Sequence, residues 1–339
     1  RYRELDQTFA TMDTSLIKSE LEGLFGQSLL QPDSLLFLDE IQATPSAIPA
    51  LRYLYEDFPE LPVVAAGSLV EFTLADHSFS MPVGRIQYLH LGPMTFSEFL
   101  QELEPDLHHT LDTIDLKPDK LHTTDLQKVI PDTLHKRLMA RQRQYLFTGG
   151  MPEAVLAFSE TGSMEESSQI HRDIINTYQD DFAKYARQTD LMLLQRVFRT
   201  IPSQVGNKVK YSNFSTENRA LKVKTMIDLL EKARVCYRVN ACSCDGLPLN
   251  ASINEKVFKL IFMDVGLMNH VNGLRWRDIN GMNDTRLVNE GALAEQFIGQ
   301  HLAFMNQGLE SPQLTYWLRE HRSGNAEVDY VMVMDGNIV

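Results

Sequence analysis

The sequence predicts an α/β chain, and three observations predict it. Short apolar runs at Leu35–Leu38, Leu61–Ala66 and Ile86–Leu91 alternate with stretches of helical periodicity, the pattern of βαβ units and a parallel sheet. A basic stretch from Lys208 to Arg238 has the order short helix, longer helix, strand, which suggests a winged helix-turn-helix. Beyond residue 240 the chain returns to apolar strands around one helix, so a second α/β unit is expected at the C-terminal end.

Each element has its own signals. Tyr2–Phe9 reads as a short edge strand, and Met12–Phe25 as a helix with Leu16, Leu21 and Leu24 inward. Gln31-Pro32-Asp33 turns the chain into Leu35-Leu36-Phe37-Leu38, four apolar residues expected to be buried on both faces. Thr44-Pro45-Ser46 starts the next helix, in which Leu51, Leu54, Tyr55 and Phe58 recur at i, i+3, i+4, i+7. Leu61–Ala66 and Ile86–Leu91 are the following strands, and Thr95-Phe96-Ser97-Glu98 has the spacing of a capping box ahead of Phe99 and Leu103. From Glu102 to His135 the chain is acidic and carries His108, His109 and His122, expected as a solvated helical excursion rather than a metal site. Helices continue to Arg199, broken at Gly149-Gly150-Met151-Pro152. Met226, Leu229 and Leu230 stripe the longer helix of the basic segment, and Val235–Val239 is its strand. Lys259–Met263 is a strand ending in Asp264, and Asn289-Glu290-Gly291 opens a helix with Leu293, Phe297, Ile298 and Leu302. Leu314–Leu318 and Val328–Met334 are strands joined through Arg322-Ser323-Gly324-Asn325, and Asp335-Gly336 signals a hairpin.

Composition bounds the function. A length of 339 residues accommodates two or three domains, and 43% hydrophobic with 23% charged residues is ordinary for a globular protein. No apolar run reaches the ~18–20 residues of a membrane span, and the opening Arg1-Tyr2-Arg3-Glu4 is not a signal peptide, so a cytoplasmic protein without a membrane partner is expected. The absence of an initial Met suggests a fragment. Three cysteines form no disulfide framework, and Cys242-Ser243-Cys244 lacks further ligands at finger-like spacing. A net charge of −13 argues against a nucleic-acid-coating protein but not against a local basic surface. Lys208–Arg238 supplies one: eight Lys and Arg face only Glu217, Asp228 and Glu231, and DNA is the partner this segment suggests.

The chemistry concentrates at Asp39-Glu40. Ligands of open α/β sheets sit outside the carboxyl ends of the strands, where Leu35–Leu38 delivers two adjacent carboxylates. That is the shape of a Walker B strand, with Asp39 for Mg²⁺ and Glu40 for the attacking water. The alternative is an acidic start to the following helix.

Taken in order along the chain, these pieces resemble a prokaryotic family of AAA-like P-loop ATPases with a C-terminal domain of unknown function. The resemblance rests on Leu35–Gln42, Ala66-Gly67-Ser68, Gly84-Arg85, Pro93–Leu100, Gly149–Val155, Phe258–Leu267 and Gly291–Glu295. It implies an ATPase core over 1–100, its P-loop-type sheet incomplete at the N-terminus. A helical lid or linker over 101–204, a winged-helix-like part over 205–240 and a truncated restriction-endonuclease-like domain over 241–339 complete the expected layout. It implies ATP and Mg²⁺ as cofactors, with Asp39 at the metal, Glu40 at the water, Ser68 at the γ-phosphate or that water, and Arg85 reading phosphate charge. Ser68 as a plain strand-end turn and Arg85 as a structural ion pair are the alternatives. The G-x-x-x-x-G-K-[ST] that grips phosphate occurs nowhere in these residues and is expected before Arg1, so this chain by itself is expected neither to bind nor to hydrolyse ATP appreciably.

At the other end, Glu295 and Glu327-Val328-Asp329 resemble the acidic part of a nuclease-like core, in which Asp329 would be a metal ligand and a Glu-x-Lys would lie past Val339. The expected function is therefore an ATP-driven switch acting on nucleic acid or a protein partner. The rivals are a Mg²⁺-dependent nuclease under ATPase control and a non-enzymatic DNA-binding regulator.

Overall fold

In the computed structural model, which describes residues 5–67, 84–114, 130–185, 188–279, 290–304, 313–321, 324–334 and 336–339, the chain divides into two units, Arg1–Leu89 and His90–Val339.

The first unit opens with a helix where a strand is expected. α1, Leu5–Ala10, buries Phe9, and its Asp6 carbonyl accepts the Ser46 hydroxyl at 2.8 Å. A helix satisfies its own backbone, and no strand among the described residues lies beside this one to pair with it. α2, Thr14–Phe25, is set by Asp13, whose carboxylate accepts the Ser15 and Leu16 amides, and it stops at Gly26 with φ 66°. The cap rotates Thr14, Ile17 and Leu21 inward and leaves Leu16 and Leu24 exposed, which corrects the expected face.

β1, Leu36–Leu38, pairs in parallel with β2, Val63–Ala65, with Leu36 opposite Val63 and Leu38 opposite Ala65. The pairing is as expected; burial on both faces is not. Side chains alternate across a strand, so Leu36 enters the core with Phe9, Ile17, Leu21, Ala50 and Leu54, while Leu35 and Phe37 are 56% and 55% exposed. α3, Ala47–Asp57, buries Ala47, Ile48, Ala50 and Leu54 and exposes Tyr55, another departure from the expected stripe. Ile86–Leu91 forms no strand: it is irregular, with Leu91 92% exposed, and the boundary between the units falls within it.

The second unit begins with the capping box read from the sequence. α4, Phe96–Leu103, starts at Thr95, whose amide donates to the Glu98 carboxylate at 2.6 Å while its hydroxyl accepts the Glu98 amide at 3.3 Å. α5, Pro105–Asp112, and α6, Asp132–Thr148, follow; Glu104 ties them by pairing with Arg141 (2.8 Å) and Arg137 (2.9 Å). His108 bonds Ser97 and Asp112, and His122 lies outside the described residues. α7, Pro152–Thr161, α8, Met164–Tyr185, and α9, Gln188–Gln204, continue the helical part, with Phe158, Phe182, Val197 and Phe198 buried.

After α10, Ala220–Lys232, the strand expected over Val235–Val239 becomes β3, Cys236–Cys242. It is an interior strand. The sheet order is β4 (Ile253–Phe262), β3, β5 (Leu314–His321), β6 (Gly324–Val331), and β3 runs antiparallel to β4 and parallel to β5. The basic segment thus feeds its strand into the C-terminal sheet. Two short helices, α11 (Val265–Val271) and α12 (Trp276–Ile279), follow β4, and α13, Glu290–Ala303, packs back over that strand. Its Gln296 accepts the Phe262 amide and donates to the Phe262 carbonyl, both at 2.7 Å, so a side-chain amide completes the outer edge of β4. Gln296 and Gln300 occupy the buried face of α13, and Ile298, expected inward, is exposed. The Gly336 hairpin forms as expected between β7, Val333–Met334, and β8, Asn337–Ile338.

Two histidines meet where α8 crosses α11. His171, 2% exposed, bonds the Thr148 carbonyl at 2.9 Å, and its ring centroid is 5.9 Å from that of His270. Burial pushes both imidazoles down to about 4, with the Arg275 charge acting in the same direction. The unfolded chain takes up these protons near pH 6.5 and the folded chain only near pH 4, so stability is full above pH 6.5 and falls as pH drops toward 4. For His171 the loss is up to about 3 kcal/mol. Thermal unfolding at pH 7.5 and 4.5 should show a smaller difference in His171→Gln than in the parent; an unchanged difference would remove His171 from the acid response.

Candidate functional site

The carboxylate pair sits where a parallel strand pair ends. β1 stops at Leu38, whose carbonyl accepts the Ala66 amide at 2.9 Å, and the Ala66 carbonyl accepts the Ile41 amide at 3.0 Å. Ala66 therefore pins the chain on both sides of Asp39-Glu40. Held between these bonds, Glu40 adopts φ 53° and ψ 46°, the left-handed region, which costs a residue with a Cβ about 1 kcal/mol. Asp39 Oδ1 accepts the Glu40 amide at 3.1 Å, and the Glu40 carboxylate accepts Gln42 Nε2 at 2.5 Å. Both carboxylates reach solvent. Their oxygens are hard donors open to water, a set that fits Mg²⁺ bound through one or two carboxylates.

Of the other two residues assigned to this site, Ser68 lies outside the described residues. Arg85 is described, and its Nε is 3.7 Å from Glu56 with the guanidinium 5.7 Å from the Tyr55 ring. Both partners belong to α3, which is the ion-pair alternative read from the sequence.

A second cluster forms in the other unit around a residue that sequence reasoning passed over. Lys259, on β4, is 4% exposed. Its Nζ donates to Glu295 of α13 at 2.9 Å and to Asp329 of β6 at 3.1 Å, and it pairs with Glu327 as well. Burial disfavours the Lys259 charge, but the bonds to Glu327 and Glu295 outweigh it and hold the ammonium above its ordinary range. Burial pushes the Glu295 carboxyl up, against the pull of Lys259. Three carboxylates and one ammonium leave an excess of negative charge, yet the ammonium already occupies the point on which they converge. Among the described residues no group of three or more His, Cys, Asp or Glu is arranged to hold a metal ion. Lys259 stood out in one respect: it is the lone charge in Val257-Phe258-Lys259-Leu260-Ile261-Phe262, and a charge inside a buried strand requires partners.

The Gly149-Gly150-Met151-Pro152 and Phe258–Leu267 segments meet at Asp264. This fully buried carboxylate accepts the Gly150 amide at 2.7 Å and, as the cap of α11, the Leu267 amide at 2.9 Å. Burial raises its pKa against those bonds. The Gly150 carbonyl accepts the Met94 amide at 2.7 Å, and Tyr145 donates from its hydroxyl to the Met94 carbonyl at 2.6 Å while accepting from Gln300 at 2.9 Å. A Cβ on Gly150 would lie 2.1 Å from the Met94 carbonyl oxygen, so the position admits only glycine.

The basic segment is paired in part within the fold. Lys224 pairs with Asp228 (2.9 Å), Lys222 with Asp190 (3.5 Å), and Arg238 with Asp228 and Glu231 while stacking over Phe258 at 4.6 Å. Arg234 is hydrogen-bonded to His90 at 2.7 Å. A sequence count of +5 is thus offset in part by Asp190, a carboxylate from outside the segment.

Comparison with known families places two matches along the chain. Residues 3–100 match the family model described as an AAA domain, and residues 139–278 match a domain of unknown function (DUF8612). No curated protein matches the chain. The N-terminal region is therefore AAA-like and ATPase-type, and a separate domain of unknown function follows it. Among the described residues no helix is long and apolar enough to cross a membrane.

Proposed function

We propose that the chain belongs to an ATP-driven switch in which Asp39 and Glu40 form the hydrolytic half of a Mg-ATP site. One observation carries the reading: two adjacent carboxylates at the carboxyl end of a parallel strand pair, with Glu40 held in a strained backbone conformation by Ala66. The match of residues 3–100 to an AAA domain supports it. Asp39 would hold Mg²⁺, whose role when bound is to neutralise phosphate charge. Glu40 orients water and accepts its proton, with Gln42 fixing the carboxylate. Ser68 would serve the γ-phosphate or that water, and Arg85 would read phosphate charge only by leaving its ion pair with Glu56. Nucleotide state then biases the second unit, which acts on nucleic acid or a protein. In a protein that joins a P-loop to this chain, Glu40→Gln should abolish ATP turnover and leave ATP binding within a few-fold of the parent. Equal turnover in variant and parent would remove Glu40 from the chemistry.

The convergence of Glu295, Glu327 and Asp329 favours a second reading, a Mg²⁺-dependent nuclease under ATPase control with Asp329 as a metal ligand. The carboxylate oxygens suit a hard cation, but Lys259 holds the centre, so metal would have to displace an ammonium. In a protein that joins a Glu-x-Lys strand to this chain, Mg²⁺-dependent cleavage of DNA that is lost in Asp329→Ala and kept in Glu40→Gln would establish this reading; no cleavage by that protein would dismiss it.

A further inference from the structure

The helical part of the second unit contains a cavity of about 210 Å³ whose lining includes neither the Asp39-Glu40 pair nor Lys259 and its carboxylates. Phe147 at the end of α6, Ser168 and His171 of α8, His270 of α11, and Arg275 and Trp276 beyond it carry its chemistry. Every lining residue falls within 139–278, the stretch that matches a domain of unknown function.

The charge in this cavity is unbalanced. Arg275 Nη1 donates to the Ser168 hydroxyl at 2.5 Å and to His270 Nδ1 at 3.2 Å, both uncharged groups. Among the described residues no carboxylate pairs with Arg275; one carboxylate, Glu165, and a second guanidinium, Arg277, also line the cavity. A half-buried guanidinium in a confined space calls for a counter-anion. Because His270 Nδ1 accepts from Arg275, a neutral His270 carries its proton on Nε2 and is a further donor. Phe147 and Trp276, both in the lining, meet edge to face with ring centroids 5.5 Å apart and supply apolar surface. The volume is below the roughly 300–1,000 Å³ of sites for drug-sized ligands, so the occupant is small.

We propose that this cavity binds a small organic oxyanion, a carboxylate or phosphomonoester on a flat apolar body, with Arg275 on the anion and Trp276 against the body. The chain has two tryptophans, Trp276 and Trp317, and Trp317 lies on β5, outside the cavity lining, so their indole N–H resonances give a probe and an internal reference. The full chain, ¹⁵N-labelled, is titrated with benzoate, phenyl phosphate and, as the uncharged counterpart, benzyl alcohol; Trp317→Phe assigns the two signals. A saturable shift of the Trp276 resonance with at least one anion, no saturation with benzyl alcohol and an unmoved Trp317 are expected. The better of the two anions identifies the head group. Arg275→Gln should weaken binding about tenfold or more, the scale of a lost charge-assisted hydrogen bond, and Arg275→Lys less. No saturable shift with either anion, or equal saturation by benzyl alcohol, would overturn the proposal on the unsubstituted chain alone; unchanged affinity in a folded Arg275→Gln would overturn the role of Arg275.

Discussion

Replacing Lys259 by Met should destabilise the protein by about 2–3 kcal/mol at neutral pH. The substitution keeps the volume and removes the cation on which Glu295, Glu327 and Asp329 converge. Glu327 and Asp329 reach water and recover part of their solvation, so the larger share of the loss falls on half-buried Glu295. Without Lys259 nothing opposes the burial and the neighbouring Asp329 and Glu327 charges that push the Glu295 carboxyl up. Glu295 then costs least where it is protonated, so the deficit relative to the parent should shrink as pH falls from 7.5 toward 5. Urea unfolding at the two pH values measures this. A loss under about 0.5 kcal/mol would mean that the cluster is solvated like an ordinary surface ion pair.

Gly150→Ala is expected to cost at least about 3 kcal/mol, because the new Cβ meets backbone rather than a side chain that can turn away. It would stand 2.1 Å from the Met94 carbonyl oxygen and 2.8 Å from the Met94 nitrogen, while the Gly150 amide is committed to Asp264. Any shift that relieves the clash breaks the bonds joining Met94, Gly150 and Asp264. Gly162→Ala is the control: Gly162 has φ 68° and open space around it, so backbone strain alone applies, about 1 kcal/mol. Melting temperatures of the two variants should separate clearly. Similar values would mean that the Met94 segment yields more easily than its bonding implies.

What the sequence made legible was local. Thr95 and Glu98 lie three residues apart and form the capping box they spell. Leu36–Leu38 and Val63–Ala65 form the parallel pair, and Asp39-Glu40 follows the first of them. What it hid was set by distant partners. Lys259 meets Glu295 across 36 residues and Asp329 across 70, and no periodicity records such a meeting. Gln296 sits on the helical face that a hydrophobic stripe would occupy, because its amide substitutes for a neighbouring strand at the edge of β4. Leu21 and Leu54 lie inward as expected, but other positions on the expected helical faces do not, for a related reason. Apolar residues such as Leu16, Leu24 and Tyr55 are tolerated on the surface, so hydrophobicity alone does not fix the rotation that a cap at Asp13 imposes. The basic segment shows the same limit for charge: local counting misses Asp190, brought to Lys222 by folding.

The central claim is that Asp39 and Glu40 are half of a nucleotide site whose phosphate grip is a separate P-loop. Isothermal titration of Mg-ATP into this 339-residue chain, and into the same chain preceded by a strand, a G-x-x-x-x-G-K-[ST] loop and a helix, tests it most directly. The account predicts no micromolar binding to the first, and micromolar binding to the second with a Mg²⁺-dependent part that disappears in Asp39→Ala. Micromolar binding by the chain alone, or binding by the joined protein that ignores both Mg²⁺ and Asp39→Ala, would contradict it.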